Sequence, residues 1–194
     1  MAKFYERLDR QLCEFIAEQK LFFTATAPQE GRINLSPKGI DSFRCLDFDR
    51  VAYLDLTGSG NETAAHLHQN GRMTMMFCSF TDKPLILRLY GKGEVISPDT
   101  ERWHNLIDRF TDLPGKRQLI LLKIESVQTS CGYGVPIYEL QEERSTLTDW
   151  AVKRGTEGVR AYQLQKNHTS AVSKFNIRVK RSKFTASIIN LHLP

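Results

Sequence analysis

The chain has 194 residues, of which 41% are hydrophobic and 25% charged, proportions that suit one globular domain with a real core and exclude a disordered polymer. Its formal net charge of +5 sits in residues 171–194, where Lys174, Arg178, Lys180, Arg181 and Lys183 meet no acid; the other 22 basic residues balance 22 acidic ones, so the body is neutral and makes no general claim on nucleic acid. No apolar run reaches the roughly 18 residues of a spanning helix, and MAKFYERLDRQL lacks an apolar signal core, so a cytosolic protein is expected.

Residues 3–19 place Phe4, Leu8, Leu12, Phe15 and Ile16 three or four apart, which predicts an amphipathic helix. Six β-rich runs follow: LFFTATA (21–27), RINLS (32–36), VAYLDL (51–56), RMTMMFCSF (72–80), LILRLYGKGEVI (85–96) and RQLILLKIESVQ (117–128). PQEG at 28–31 reads as a hairpin loop between the first two. Helices are predicted over 61–70 with Asn61 as cap, over 99–110 with Asp99 as cap, and around 142–154 and 157–166. Six strands separated by short helices favour a mainly β, antiparallel barrel; a parallel sheet needs a helix after nearly every strand. The domain is expected to span 1–170, with 171–194 as a basic tail.

Chemistry-bearing residues fall in three places. In G31-R-I-N-L-S-P-K-G39, strand alternation puts Arg32, Asn34 and Ser36 on one face with Lys38 at the following turn, a stripe suited to a phosphate or polar heterocycle and equally to an exposed strand face. T57-G-S-G-N-E-T63 leads from a strand into a helix, where glycines admit a ligand and unpaired N–H groups favour an anion; it is neither G-x-x-x-x-G-K-[ST] nor G-x-G-x-x-G, and an ordinary capped turn reads the same way. In LILRLYGKGEVI, Arg88 and Lys92 share a face, and Gly91 and Gly93 allow a bulge. His66 and His68 lie two apart on a helix, cannot chelate one metal and are expected to be solvated. Cys13, Cys45, Cys78 and Cys131 are scattered without ligand spacing, which predicts free, mostly buried thiols and no metal site. No catalytic acid, base or nucleophile can be named from spacing.

Taken in order, FFTATAP with GRINLSPKG, then VAYLDLTGSGNETAAHL, then LRLYGKGEV and SCGYGVP resemble the pyridoxamine 5'-phosphate oxidase-like, FMN-binding split-barrel family, and a short branch of it in particular. The resemblance covers about residues 3–167 and implies a six-stranded antiparallel split β-barrel with flanking helices. It also implies a homodimer holding flavin mononucleotide between subunits. Carried over by position, Arg32, Asn34, Ser36 and Lys38 contact flavin and phosphate, Thr57, Asn61, Glu62 and Thr63 mark the phosphate end, and Arg88 passes the ring edge. Glu62 and Thr63 stand where the oxidases of the family have a basic pair, and the C-terminal Arg- and Trp-containing segment for their vitamin substrate is missing. Oxidation of pyridoxamine phosphate itself is therefore not expected. The resemblance leaves open an FMN-dependent oxidoreductase acting on an unnamed small molecule, a non-enzymatic flavin or small-ligand module, and deazaflavin or haem in place of FMN. A weaker reading gives the basic tail a nucleic-acid or membrane contact.

Overall fold

The computed structural model describes residues 2–167; residue 1 and residues 168–194 lie outside it, and with them the expected basic tail. The apolar stripe folds as α1 (Arg10–Glu18), opened by the Asp9 carboxylate, which accepts from the Leu12 N–H at 2.8 Å. This helix starts later than the one predicted over 3–19. Lys3–Tyr5 instead forms β1, an extra strand paired with Val127–Thr129, which leaves Phe4 exposed; ladder bonds to a long neighbouring strand outcompete the helical stripe there.

Seven further strands are β2 (Phe22–Thr26), β3 (Asn34–Lys38), β4 (Phe43–Cys45), β5 (Arg50–Leu56), β6 (Arg72–Cys78), β7 (Ile86–Ile96) and β8 (Lys116–Ser130). All pair antiparallel in the order β3-β2-β6-β7-β8-β5-β4, so six strands were too few: β1 and β4, three residues each, were missed. Segments that short carry no readable alternation. The 28–31 loop does close a hairpin, since Thr26 opposes Asn34. β8 serves both halves of the sheet, pairing along one edge with β7 and along the other with β5 and then β1.

The sheet curls until its ends meet. Phe22 of β2 lies 5.1 Å from Phe43 of β4 and 5.6 Å from Tyr53 of β5, and Phe43 lies 5.0 Å from Phe77 of β6, all edge to face. Around this aromatic knot Leu8, just before α1, and Leu12 and Ile16 of α1 pack with Val51, Met75, Leu87, Leu89, Ile120 and Leu122. The opposite face of β5 and β8 carries a second core, where Ala52, Leu54, Leu119 and Leu121 meet Trp103 of α3 (Glu101–Ile107). Helix α3 is capped by Thr100, whose hydroxyl accepts from Trp103 N–H, rather than by Asp99. Helix α2 (Glu62–Asn70) ends on Gly71 in the left-handed region, and α4 (Thr146–Lys166) breaks at Gly155, matching the two helical segments expected there.

Between Tyr90 and Gly91 the β7–β8 register shifts, the bulge foreseen near the glycines. There the backbones approach so closely that a Cβ on Gly91 would collide with the Lys123 carbonyl oxygen. Gly91→Ala should therefore lose about 1–3 kcal/mol in urea unfolding. Gly134→Ala, with nothing within 4 Å of the added atom, should stay within about 0.5 kcal/mol of the parent. Equal midpoints for the two variants would contradict this account of the bulge.

Candidate functional site

Three of the residues singled out on β3 point inward. Asn34, Ser36 and Lys38 oppose Thr26, Thr24 and Phe22 and are half-buried, while Ile33, Leu35 and Pro37 are exposed. The Asn34 amide donates to the hydroxyl of Thr63 at 3.1 Å and of Thr26 at 3.3 Å, and Ser36 donates to the Asn34 carbonyl at 3.4 Å. β3 and the first turn of α2 are thereby joined. Lys38 reaches across the barrel, with Nζ 3.6 Å from Asp55 Oδ1 and 5.7 Å from the centre of the Tyr53 ring.

Asp55 is the hub of a buried charged network that spacing did not show. Its Oδ2 accepts from Arg117 Nη2 at 2.7 Å, from Arg117 Nε at 3.1 Å and from Gln118 Nε2 at 2.8 Å. The two side chains of the ion pair are only 5% and 9% exposed. Arg117 Nη1 continues to the Gly60 carbonyl at 3.0 Å and to Asn167 Oδ1 at 2.8 Å. Gln118 also donates to Asn61 Oδ1 at 2.8 Å, so Asn61 occupies the cap position of α2 without making a side-chain cap bond. In sequence Arg117 is one cation in a strand; only the pairing of β8 with β5 puts it beside Asp55.

The end of α4 closes over the glycine-rich loop. Thr57 is buried, donates to the Gly115 carbonyl at 2.8 Å and accepts from Gln163 Nε2 at 2.7 Å. The Asn167 amide reaches the Gly58 carbonyl at 3.4 Å. The Glu62 side chain folds against Gly60, where an added Cβ would fall onto its carboxylate.

Two candidates stand apart. Arg32 precedes β3, exposed in the loop, because the strand begins only at Asn34; it does not share the inward row. Arg88 opposes Met76, in the row that runs through Phe23 to Pro37, and so lies on the other side of the sheet from Ser36 and Lys38, donating to Ser130 at 3.1 Å. His68 is exposed as expected, but His66 is fully buried, its Nδ1 3.0 Å from Thr26 Oγ1. Since that oxygen already accepts from Asn34, its hydrogen is available to Nδ1, and the imidazole proton is assigned to Nε2.

His66 Nε2, the Thr24 hydroxyl and the Tyr53 hydroxyl have no hydrogen-bond partner among the described residues, though all three residues are fully buried. Burial holds the Tyr53 phenol well above its ordinary range; Asp55 adds to this and the nearby Thr63 and Thr24 hydroxyls oppose it, without reaching hydrogen-bond geometry. Unmet polar groups of this kind are normally satisfied by water or ligand. The donors around β3 and α2 thus fit a polar heterocycle, while the cations Lys38 and Arg117 are both balanced by Asp55.

A separate cavity of about 290 Å³ lies between α1 and the β3–β4 turn, lined by Cys13, Ile16, Lys20, Asp41, Arg44 and Cys45 and by none of the candidate residues. Burial pushes both thiols up, away from the thiolate form. Cys78 is buried, whereas Cys131 is exposed.

Comparison with known proteins matches residues 8–131 to the family model described as pyridoxamine 5'-phosphate oxidase. The pyridoxamine 5'-phosphate oxidase family protein ustO of Aspergillus flavus is 46% identical over 151 residues, covering 75% of this chain and 61% of that protein's length. A Lactobacillus delbrueckii structure that carries the name of the same oxidase superposes with a TM-score of 0.52 at 21% identity, covering 63% of this chain and 94% of the other. HupZ of Group A Streptococcus superposes at 0.50 and 19% identity, covering 62% and 91%. These two likenesses concern the fold.

Burial keeps the His66 ring neutral and lowers its pKa from the ordinary 6.5. The unfolded chain then binds more protons than the folded one as pH falls below 6.5, so stability contributed by this site is full above that value and is lost on acidification toward the lowered folded pKa. Urea midpoints taken between pH 7.5 and 5.5 should fall for the parent at a slope of at most about 1.4 kcal/mol per pH unit from this one proton. His66→Gln should flatten the profile. An unchanged slope in the variant would show that another group sets it.

Proposed function

Because the chain belongs to the pyridoxamine 5'-phosphate oxidase family, we propose that it binds flavin mononucleotide and acts as a flavin-dependent oxidoreductase on a small molecule. The observation that carries this reading is the Asn34–Thr63 hydrogen bond, which brings the β3 motif and the start of α2 into one site. Asn34 and Ser36 would meet the ring or ribityl chain, and Thr57, Asn61, Glu62 and Thr63 would frame the phosphate end. Lys38 and Arg32 would face the phosphate as cations. Flavin, when bound, supplies hydride transfer, so the protein's task is to orient it and shape its field. Arg88, on the outer side of the sheet, belongs to this site only if a second subunit completes it.

A second reading, a non-enzymatic flavin or small-ligand module, rests on Asp55. The carboxylate is engaged by Arg117, Gln118 and Lys38 and is not free to move a proton. A spectrum of the purified protein separates flavin from haem, and turnover of bound flavin by a reduced nicotinamide separates enzyme from module.

For the phosphate, Arg32, unlike Lys38, makes no ion pair with a carboxylate among the described residues. A charge-assisted bond contributes about 1.5–3 kcal/mol, so Arg32→Ala should weaken FMN by roughly ten- to a hundredfold. Riboflavin, lacking phosphate, should respond little. Equal loss for both ligands, followed by flavin fluorescence, would put the phosphate elsewhere.

The assembly we propose is a homodimer. Leu35 is 64% exposed on the outer side of β3, an edge strand, Ile33 just before it is 74% exposed, and Phe4 is 67% exposed on β1. Light scattering should give twice the chain mass of 22.3 kDa; a mass that stays at one chain across a concentration series would exclude the dimer.

A further inference from the structure

Resting on the flavin reading above, we infer that the last turn of α4 is a strap that occupies the glycine-rich loop and must yield before a phosphate can reach Arg117. Four side-chain contacts carry this. Gln163 donates to Thr57, Asn167 donates to Gly58, and Asn167 also takes the Arg117 Nη1 hydrogen bond, while the same Nη1 serves the Gly60 carbonyl. Thr57 has its hydrogen on Gly115 and a lone pair filled by Gln163.

The guanidinium is therefore nearly saturated. Its Nε and Nη2 are held by Asp55, and Nη1 is divided between a loop carbonyl and the strap. A guanidinium has five N–H groups in a rigid fork, and an anion cannot share one already given to a well-aligned amide oxygen. Asn167 is 7% exposed and caps the C-terminal end of α4, so its amide is a neutral group set against the guanidinium. Moving it away frees one N–H of Arg117 beside Gly60, at the start of α2, where the sequence otherwise offers Glu62. The strap thus makes phosphate recognition conditional: the cation is built in, and the chain's own amide masks it.

The side chain of residue 167 sets the mask's strength, and opposite changes should have opposite effects. In the full-length protein, Asn167→Ala removes the masking oxygen and should tighten FMN by about tenfold, the size of one hydrogen bond to a charged group. Asn167→Asp gives Arg117 a carboxylate and should weaken FMN by a similar factor. Gln163→Ala loosens the same turn without touching Arg117 and should move FMN in the direction of Asn167→Ala, which guards against a folding defect in one variant. Riboflavin affinity should stay level through the series. FMN binding that is the same in parent and variants overturns the strap and leaves the flavin reading standing. Riboflavin shifting in step with FMN also overturns it, because the change is then one of packing rather than of a released guanidinium. If no protein of the series binds either flavin, the flavin reading and the strap both fall.

Discussion

The Asp55–Arg117 ion pair is the contact on which the rest of the site depends. It joins β5 to β8 in the barrel interior, and through its free valences it fixes Lys38 of β3, the Gly60 carbonyl of the loop and Asn167 at the end of α4. Such a pair is no simple source of stability, since taking both charges out of water offsets much of their attraction. What it does is remove freedom. With Nε and Nη2 on Asp55 and Nη1 divided between the loop and the end of α4, the fork ties three elements to one geometry, a restriction that an apolar pair of the same volume would not impose.

The two halves of the barrel interior divide along that line. Toward α1 the interior is apolar: Phe22, Phe43, Tyr53 and Phe77 interlock and need no further partner. Toward α2 it is polar, with Thr24, Thr26, Thr63 and His66 buried against Asn34, and some of these groups are left unmet. Tyr53 spans the boundary, its ring in the aromatic knot and its hydroxyl on the polar side. An interior assembled for stability alone would carry apolar residues on both sides. Spending buried polar atoms next to a glycine-rich loop makes sense for a barrel whose polar end receives a ligand.

Much of this was legible in the sequence, and the exceptions share causes. Long alternating runs such as RMTMMFC and LILRLYGKGEVI declare strands by themselves, and Gly91 marked the bulge. β1 and β4 stayed hidden because three residues have no period to read. The mistaken solvation of His66 came from spacing alone: two residues apart on a helix means different faces, but nothing local says which face the sheet will cover. Arg117 is the clearest case. It opens a strand as an unremarkable cation, and its importance arises from a partner 62 residues away. The inward row Asn34, Ser36 and Lys38 was readable from alternation, yet Arg32 fell outside it because the strand begins two residues later than its composition suggested. Local pattern fixes faces; only topology decides what faces meet.

The charge at the loop follows from the same geometry. Among the described residues Lys38 and Arg117 bring two positive charges and Asp55 and Glu62 two negative ones, so these four balance one another. A phosphate entering with about two negative charges would be attracted by a helix start and a few dipoles, worth roughly 0.3–1 kcal/mol each at exposed positions. That alone is little for a dianion. Tight binding of a phosphorylated cofactor therefore draws on charge from outside this quartet, and the described residues offer three sources. Arg32 can fold in from its exposed loop, the second subunit of the proposed dimer can present Arg88, or Arg117 can be unmasked without giving up Asp55. The last leaves the buried carboxylate paired through Nε and Nη2 while redirecting only Nη1. It asks for the smallest rearrangement of the three, a side-chain exchange at one helix end.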